Sequence, residues 1–462
     1  MMRQPTTRLQ VSGHRFLMRR MEHALVRGDA RMLDDPLRGQ SLSMTAGAVL
    51  AVIAVTVCAV LAFIRPGGEL GDAPLVVVRE SGAMYVRIDD TMHPVFNLAS
   101  ARLILGTAAE PRMVTQRAVD RAEIGPQVGI PGAPGQISPP LQAAESGWTV
   151  CDERSGTTVT AGPVAGSAMT PGASVLVTPR GGSAALTYLL HGRWRSRVDL
   201  RHPAVVRALR LDGVVPQPVS PALLAAVPEA PAISPPHIPA LGSPGPSTLR
   251  EHPVGTVVRA SGTDATAEYF VVLAEGLQRI GEVAADLIRY TDRRPGAEIP
   301  TVSADAVGAV PVVTTLPVTT FPDRGGVTAA PVICAHWNQK NGETTSHTSV
   351  LVADSAPRRT RPVTLVQTDG DGPAVDAVSV PAGRSVYVRS VSLTGAGHGT
   401  GSLFLVTDAG VLFGVRDDES AAALGLTAPA VPAPWPVLAT LPRGPELGRD
   451  DASVLRDGTG AP

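Results

Sequence analysis

Residues 44–64 read MTAGAVLAVIAVTVCAVLAFI, 21 positions without a charge. At about 1.5 Å of rise per residue, a helix of that length spans roughly 30 Å, the thickness of a bilayer's hydrocarbon core. The polar stretch 1–43 ahead of this run and the absence of a clean small-residue cleavage site behind it argue against a removable signal peptide. Later apolar stretches, 221–233 and 307–318, are repeatedly cut by proline, which removes N–H donors that a lipid-embedded helix needs. One transmembrane helix at 44–64 is therefore expected. Its direction follows from Arg3, Arg8, Arg15, Arg19, Arg20, Arg27, Arg31 and Arg38 before the run, against Arg65 alone immediately after it. Positive flanks stay in the cytoplasm, so the chain is expected to cross the inner (plasma) membrane once. Everything from about Pro66 onward then lies on the periplasmic side, where disulfides form.

The cytoplasmic leader, 1–43, contains QVSGHRFLMRRMEHALVR at 10–27. Phe16, Leu17, Met21, Ala24 and Leu25 fall at helical spacing, with Ser12 as a candidate N-cap. Such an amphipathic helix suits docking on a partner or lying on anionic lipid through Arg15, Arg19, Arg20 and Arg27, and equally a solvated helix that only sets topology.

The exported part is long enough for two or three lobes. With 47 Gly, 43 Pro and only 3% aromatics, it favours short strands and turns over long helical bundles. A net charge of -1 with 18% charged residues offers no concentrated basic face for nucleic acid, which is not expected as a partner. One pattern recurs four times: strand, turn, strand near an aromatic, turn, short Ala/Leu-rich helix. The first copy (74–110) has strands at 76–78, 84–88 and 93–96 and a helix at 99–105 capped by Asn97. The second (171–215) starts at Val175, with a helix at 203–209 opened by Pro203. In the third (251–298), strands at 269–273 and 277–280 lead to a helix at 283–289. The fourth (381–426) has strands at 386–391, 403–406 and 411–415 and a helix at 419–424 capped by Asp417 or Asp418. Between copies, 111–170 and 299–380 read as two halves of a central domain. The stretches 125–140, 216–250 and the tail 427–462 read as proline-stiffened connections. The expected class is thus α+β and β-rich, with one N-terminal membrane helix and four β-rich repeats around a central β domain.

Of three cysteines, Cys58 sits in the membrane run and reads as a small packing residue. Cys151 (GWTVCDE) and Cys334 (PVICAHW) lie one in each central half, each three residues from a tryptophan. The compartment favours a disulfide between them. Free thiols and a zinc site using the nearby His336 remain the alternatives, the latter weak without CxxC spacing.

No catalytic, cofactor-binding or metal constellation emerges. The one lysine, Lys340, is preceded by Gln339 and followed by Asn341, so there is no P-loop GK[ST]. There is no GxSxG elbow and no HExxH, and the ten histidines are scattered singly. GAGHGTG at 395–401 joins two expected strands and opens no helix, which makes it a hairpin loop and not a phosphate cradle.

The leader TTRLQVSGHRFLMRRMEHALVRGDARMLDDPLRGQ at 6–40 with the span directly after it, VGIPGAP at 128–134, both cysteine contexts and LPRGPEL at 441–447 resemble the EccB family, a membrane component of the ESX or type VII secretion system. The resemblance covers nearly the whole chain. It implies a structural role in the secretion core complex, with four periplasmic repeats around a central domain whose two cysteines are bridged. It also implies assembly with EccC, an FtsK-type motor ATPase, with EccD and EccE, and self-association of the periplasmic domains. Some family members are described as ATPases, so an envelope nucleotide hydrolase is one alternative. A cell-wall binding module is another, for which aromatics are sparse.

Overall fold

The computed structural model describes residues 7–28, 36–64, 69–163, 174–181, 186–261, 267–291, 298–339, 343–357, 360–396 and 399–457. The chain divides into two compact units, Met1–Gly71 and Asp72–Pro462.

In the first unit, α1 (Arg8–Arg27) begins at Thr7, whose backbone N–H donates to Gln10 Oε1 at 3.1 Å. The N-cap is Thr7 and not Ser12, five residues earlier than the sequence suggests, and Ser12 lies inside the helix. The reason is local: a threonine followed three residues later by glutamine forms a capping box, which satisfies orphan N–H groups better than Ser12 would one turn on. Gly28 ends α1 in the left-handed region at φ 67°, its N–H donating to Ala24 O at 2.8 Å. The second helix, α2 (Pro36–Ile64), opens on a proline and carries the apolar window Ser41–Val60 at mean hydropathy 2.2. Its described side chains are all exposed, and the Thr56 hydroxyl donates to Val52 O at 2.7 Å. Cys58 is likewise exposed on α2. Arg3, Arg31 and Arg65 lie outside the described residues.

Among the described residues, the second unit is built from five sheets. Strands Leu75–Val78, Met84–Ile88 and Thr91–Val95 form an antiparallel meander. Helix Leu98–Leu105 follows, and Arg112–Val114 then returns parallel to the first strand, pairing Val77 with Met113. The same order occurs at Ser174–Pro179, Tyr188–His191, Trp194–Val198, helix Pro203–Ala208 and the parallel return Gln217–Val219. It occurs at Val257–Ser261, Ala267–Leu273, Gly276–Ile280, helix Glu282–Thr291 and Thr301–Val302. It occurs again at Val386–Val391, Leu403–Val406, Leu412–Val415, helix Asp418–Leu424 and Val431–Pro434. The expected caps are in place: Asn97 Oδ1 accepts from Ser100 N at 2.9 Å, and Asp417 Oδ1 from Ser420 N at 2.7 Å.

The returning strands correct the sequence reading. Residues 216–250 and 427–462 are not bare connections, because each supplies a strand at a sheet edge: Gln217–Val219, Glu229–Ile233 and Val431–Pro434. Their prolines fit because an edge strand has only one neighbour to hydrogen-bond. The chain's end also returns, Leu455–Arg456 pairing with Gln127–Val128 of the first sheet. The central halves are likewise smaller than 111–170 and 299–380, since Arg112–Val114 belongs to the first sheet and Thr301–Val302 to the third.

What remains is a six-stranded central sheet in the order His347–Ala353, Val332–Asn338, Trp148–Glu153, Gly156–Ala161, Ala377–Ser379, Val363–Thr364. It interleaves segments from both halves of the chain. Trp148 and Trp337 are paired across adjacent strands and 1% exposed, in a core shared with the second and fourth segments. Two further cores join segments in pairs. Ala99 and Leu103 of the first pack with Leu403, Leu424 and Leu447 of the fourth, and Val205 and Leu209 of the second pack with Val283 and Leu287 of the third.

Candidate functional site: the stapled central sheet

Alternation along Trp148–Glu153 and Val332–Asn338 faces their side chains alternately to either side of the sheet. Register then sets Cys334 directly opposite Cys151. The two are joined by a disulfide that closes 183 residues of sequence separation, and Val332 and Leu351 bury it. Cross-linking so distant a pair removes about 5 kcal/mol of chain entropy from the unfolded ensemble. His336, the candidate third ligand, is engaged elsewhere, with its Nδ1 2.9 Å from Thr149 Oγ1 and its pKa lowered by burial. Among the described residues no group of three or more His, Cys, Asp or Glu could hold a metal.

Next to Cys151 stands a residue that the sequence reading passed over. Asp152 is 3% exposed, and burial raises its pKa against the lowering effect of its hydrogen bonds and of Arg180. Its Oδ1 accepts from Thr157 Oγ1 at 2.6 Å, its Oδ2 accepts the backbone N–H of Ser220, and Arg180 Nη2 is 3.6 Å away. Arg180 also donates to Glu153 O at 3.2 Å and Gly370 O at 3.4 Å. Ser220 in turn caps helix Pro221–Ala225. One buried carboxylate thereby gathers the central sheet and the residues that follow both strands of the second sheet's parallel pair.

A second carboxylate shares Thr157 with the first and ties it to the loop at 368–370. Asp376 accepts from the N–H groups of Thr157 (2.7 Å), Asp369 (2.9 Å) and Gly370 (2.7 Å) and from the Thr368 hydroxyl (2.8 Å). Burial alone would raise its pKa, but these donors outweigh burial and hold it below the usual range. The only sequence signal for either residue is an acid inside or beside a strand. A cleft of about 760 Å³ opens beside this joint, lined by Asp152, Arg180, Gln217 and Asp371 among others. The carboxylates of Asp152 and Asp376 are already engaged by backbone and side-chain donors, so the chemistry on offer is positional: the joint locks sheets together.

The chain is similar to known proteins over nearly its whole length. The family model described as type VII secretion system ESX-1, transport TM domain B, matches residues 3–461. The ESX-3 secretion system ATPase EccB3 of Mycolicibacterium smegmatis is 38% identical over 472 residues, covering 98% of this chain and 91% of that protein. The ESX-5 secretion system ATPase EccB5 of Mycobacterium marinum is 33% identical over 98% of this chain and 94% of its own length. Among solved structures, a chain of an intact ESX-5 inner membrane complex superposes with TM-score 0.73 at 31% identity, covering 99% of this chain and 97% of its own. A structure of the EccB3 dimer from the ESX-3 core complex gives TM-score 0.73 at 34% identity over 82% of this chain and 100% of its own. With a match that runs from residue 3 to residue 461, through α1, the apolar helix α2 and the stapled sheet, the chain belongs to the EccB family of type VII secretion systems.

Proposed function

We propose that the chain works as a non-enzymatic scaffold of an ESX secretion complex, fixed in the inner membrane by α2 with α1 in the cytoplasm and Asp72–Pro462 in the periplasm. As an EccB protein it is a structural component of the ESX core complex. The observation that carries the scaffold reading is the likeness over 99% of the chain to a chain of an intact ESX-5 inner membrane complex, which takes in the membrane unit and the stapled unit together. Four copies of one unit, strand-strand-strand-helix-strand, are taken to surround the central sheet. That reading rests on the four equal strand orders and parallel returns. The membrane direction rests on the arginine excess ahead of α2.

Partners follow from the same reading: EccC, EccD and EccE in the membrane, and further EccB copies through the periplasmic units, as in the EccB3 dimer. The leader α1, with Arg8, Arg15, Arg19, Arg20 and Arg27 against one acid, Glu22, meets the complex or the anionic lipid around it. Deleting residues 1–28 tests this. Loss of copurifying EccC and EccD with an unchanged melting temperature is the expected result, and full recovery of the complex would remove the leader from the assembly. A second reading comes from the relatives' names, which call them ATPases. It is tested by ATP turnover of the purified full chain: activity that survives contaminant removal would favour it, and activity that washes away would leave the scaffold.

A further inference from the structure

The chain has four tryptophans. Trp148 and Trp337 are sealed in the core, while the other two, Trp194 and Trp435, line one and the same groove of about 630 Å³. The groove runs between the start of strand Trp194–Val198, the loop leaving strand Val386–Val391 and helix Trp435–Leu438. Pro228, Pro436, Ser392 and Thr394 line it as well. Trp435 keeps 37% of its surface exposed. In a sequence with only 3% aromatics, placing both accessible indoles at one groove leaves a large apolar, hydrogen-bonding surface without a partner.

Charge narrows what fits. Arg193 lies 5.1 Å over the Trp194 ring and Arg443 5.1 Å over the Trp435 ring. Among the described residues, neither guanidinium is paired with a carboxylate. Glu229, the acid in the groove, is already held by Arg195 at 3.2 Å and Arg197 at 3.2 Å. The uncompensated charge at both tryptophans is therefore positive. Proline-rich segments suit such a lining, since proline rings pack against the indole surface that Arg193, Arg443 and Phe404 leave open, and the polyproline helix is extended beforehand, so little entropy is lost on docking. Its carbonyls lack internal partners and accept from indole N–H and from the one hydroxyl that the Ser392–Thr394 pair, 3.0 Å apart, leaves free to donate.

We propose that this groove docks a proline-rich, acid-flanked extended segment of a partner protein, with Trp194 and Trp435 as its anchors and Arg193 and Arg443 as its charge readers. The site goes beyond the scaffold reading and does not depend on it. The test titrates the full chain in detergent micelles with an acetylated synthetic peptide of alternating proline and leucine ending in glutamates, read by tryptophan fluorescence. Trp148 and Trp337 are buried and report only unfolding. A saturable change is expected, weakened about tenfold or more by Trp194→Ala, the loss that removal of an anchor of about 1.4 kcal/mol gives. Because Trp435 also stacks on Phe404 at 5.5 Å, the exposed Arg443→Glu serves as the second variant. It should weaken the acid-flanked peptide several-fold and leave a neutral-flanked one unaffected. No saturable response in the unmodified chain would overturn the proposal, as would a response to an oligosaccharide of N-acetylglucosamine and none to the peptide.

Discussion

Single residues carry the joint between sheets, and their effects are separable. Replacing both Cys151 and Cys334 by serine should lower the denaturation free energy by several kcal/mol, about 5 at most. Tryptophan fluorescence during denaturant unfolding measures it, since all four tryptophans lie in Asp72–Pro462. A loss under about 1 kcal/mol would mean that the staple adds little to a sheet already held by its strands. Asp152→Ala leaves Arg180 without its buried counter-charge and the Ser220 N–H without its acceptor, and a cost of about 3 kcal/mol follows; a neutral result would deny that the joint is cooperative. His191 gives the pH dependence. Burial lowers its pKa from 6.5 to about 4, so on acidification the unfolded chain takes its proton first. The stability it contributes is full above about pH 6.5 and is lost as pH falls toward 4, about 3 kcal/mol in all. His191→Gln should flatten unfolding curves across that window, and an unchanged slope would assign the acid sensitivity elsewhere. At this scale the sequence is only partly legible. The cysteine pair shows itself through compartment and context, but Asp152 reads as an ordinary strand-end acid, because Arg180 and Ser220 are far away along the chain.

Elements are more readable where their signals are local. Hairpin strands such as Met84–Ile88 and Val386–Val391 stand where alternation and turn residues put them, and Asn97 and Asp417 cap the helices expected of them. The parallel returns escape because two to four residues carry no periodicity, and because prolines such as Pro218 and Pro432 argue against a strand until an edge position is known. The caps give a comparison between elements. Asp417→Ala removes one capping acceptor and should cost about 1 kcal/mol. Asn97→Ala should cost more, about 2 kcal/mol, because Asn97 also donates to Ile130 O at 2.8 Å and accepts from the Ser100 hydroxyl at 2.7 Å. Equal losses in thermal melts would contradict the added role given to Asn97.

For the molecule as a whole, the cores explain why Asp72–Pro462 forms one unit and not a string of modules. The first and fourth segments share one core, the second and third another, and the stapled sheet takes strands from both halves. A unit folded this way is interlocked through shared cores, which is what a scaffold requires. Mild detergent extraction of the affinity-tagged full chain from its native membrane, followed by native mass and protein composition of what copurifies, tests that claim most directly. The account predicts a particle far heavier than the 47.7 kDa chain that contains an FtsK-type ATPase; the chain recovered alone as a monomer, from membranes in which that ATPase is present, would contradict it.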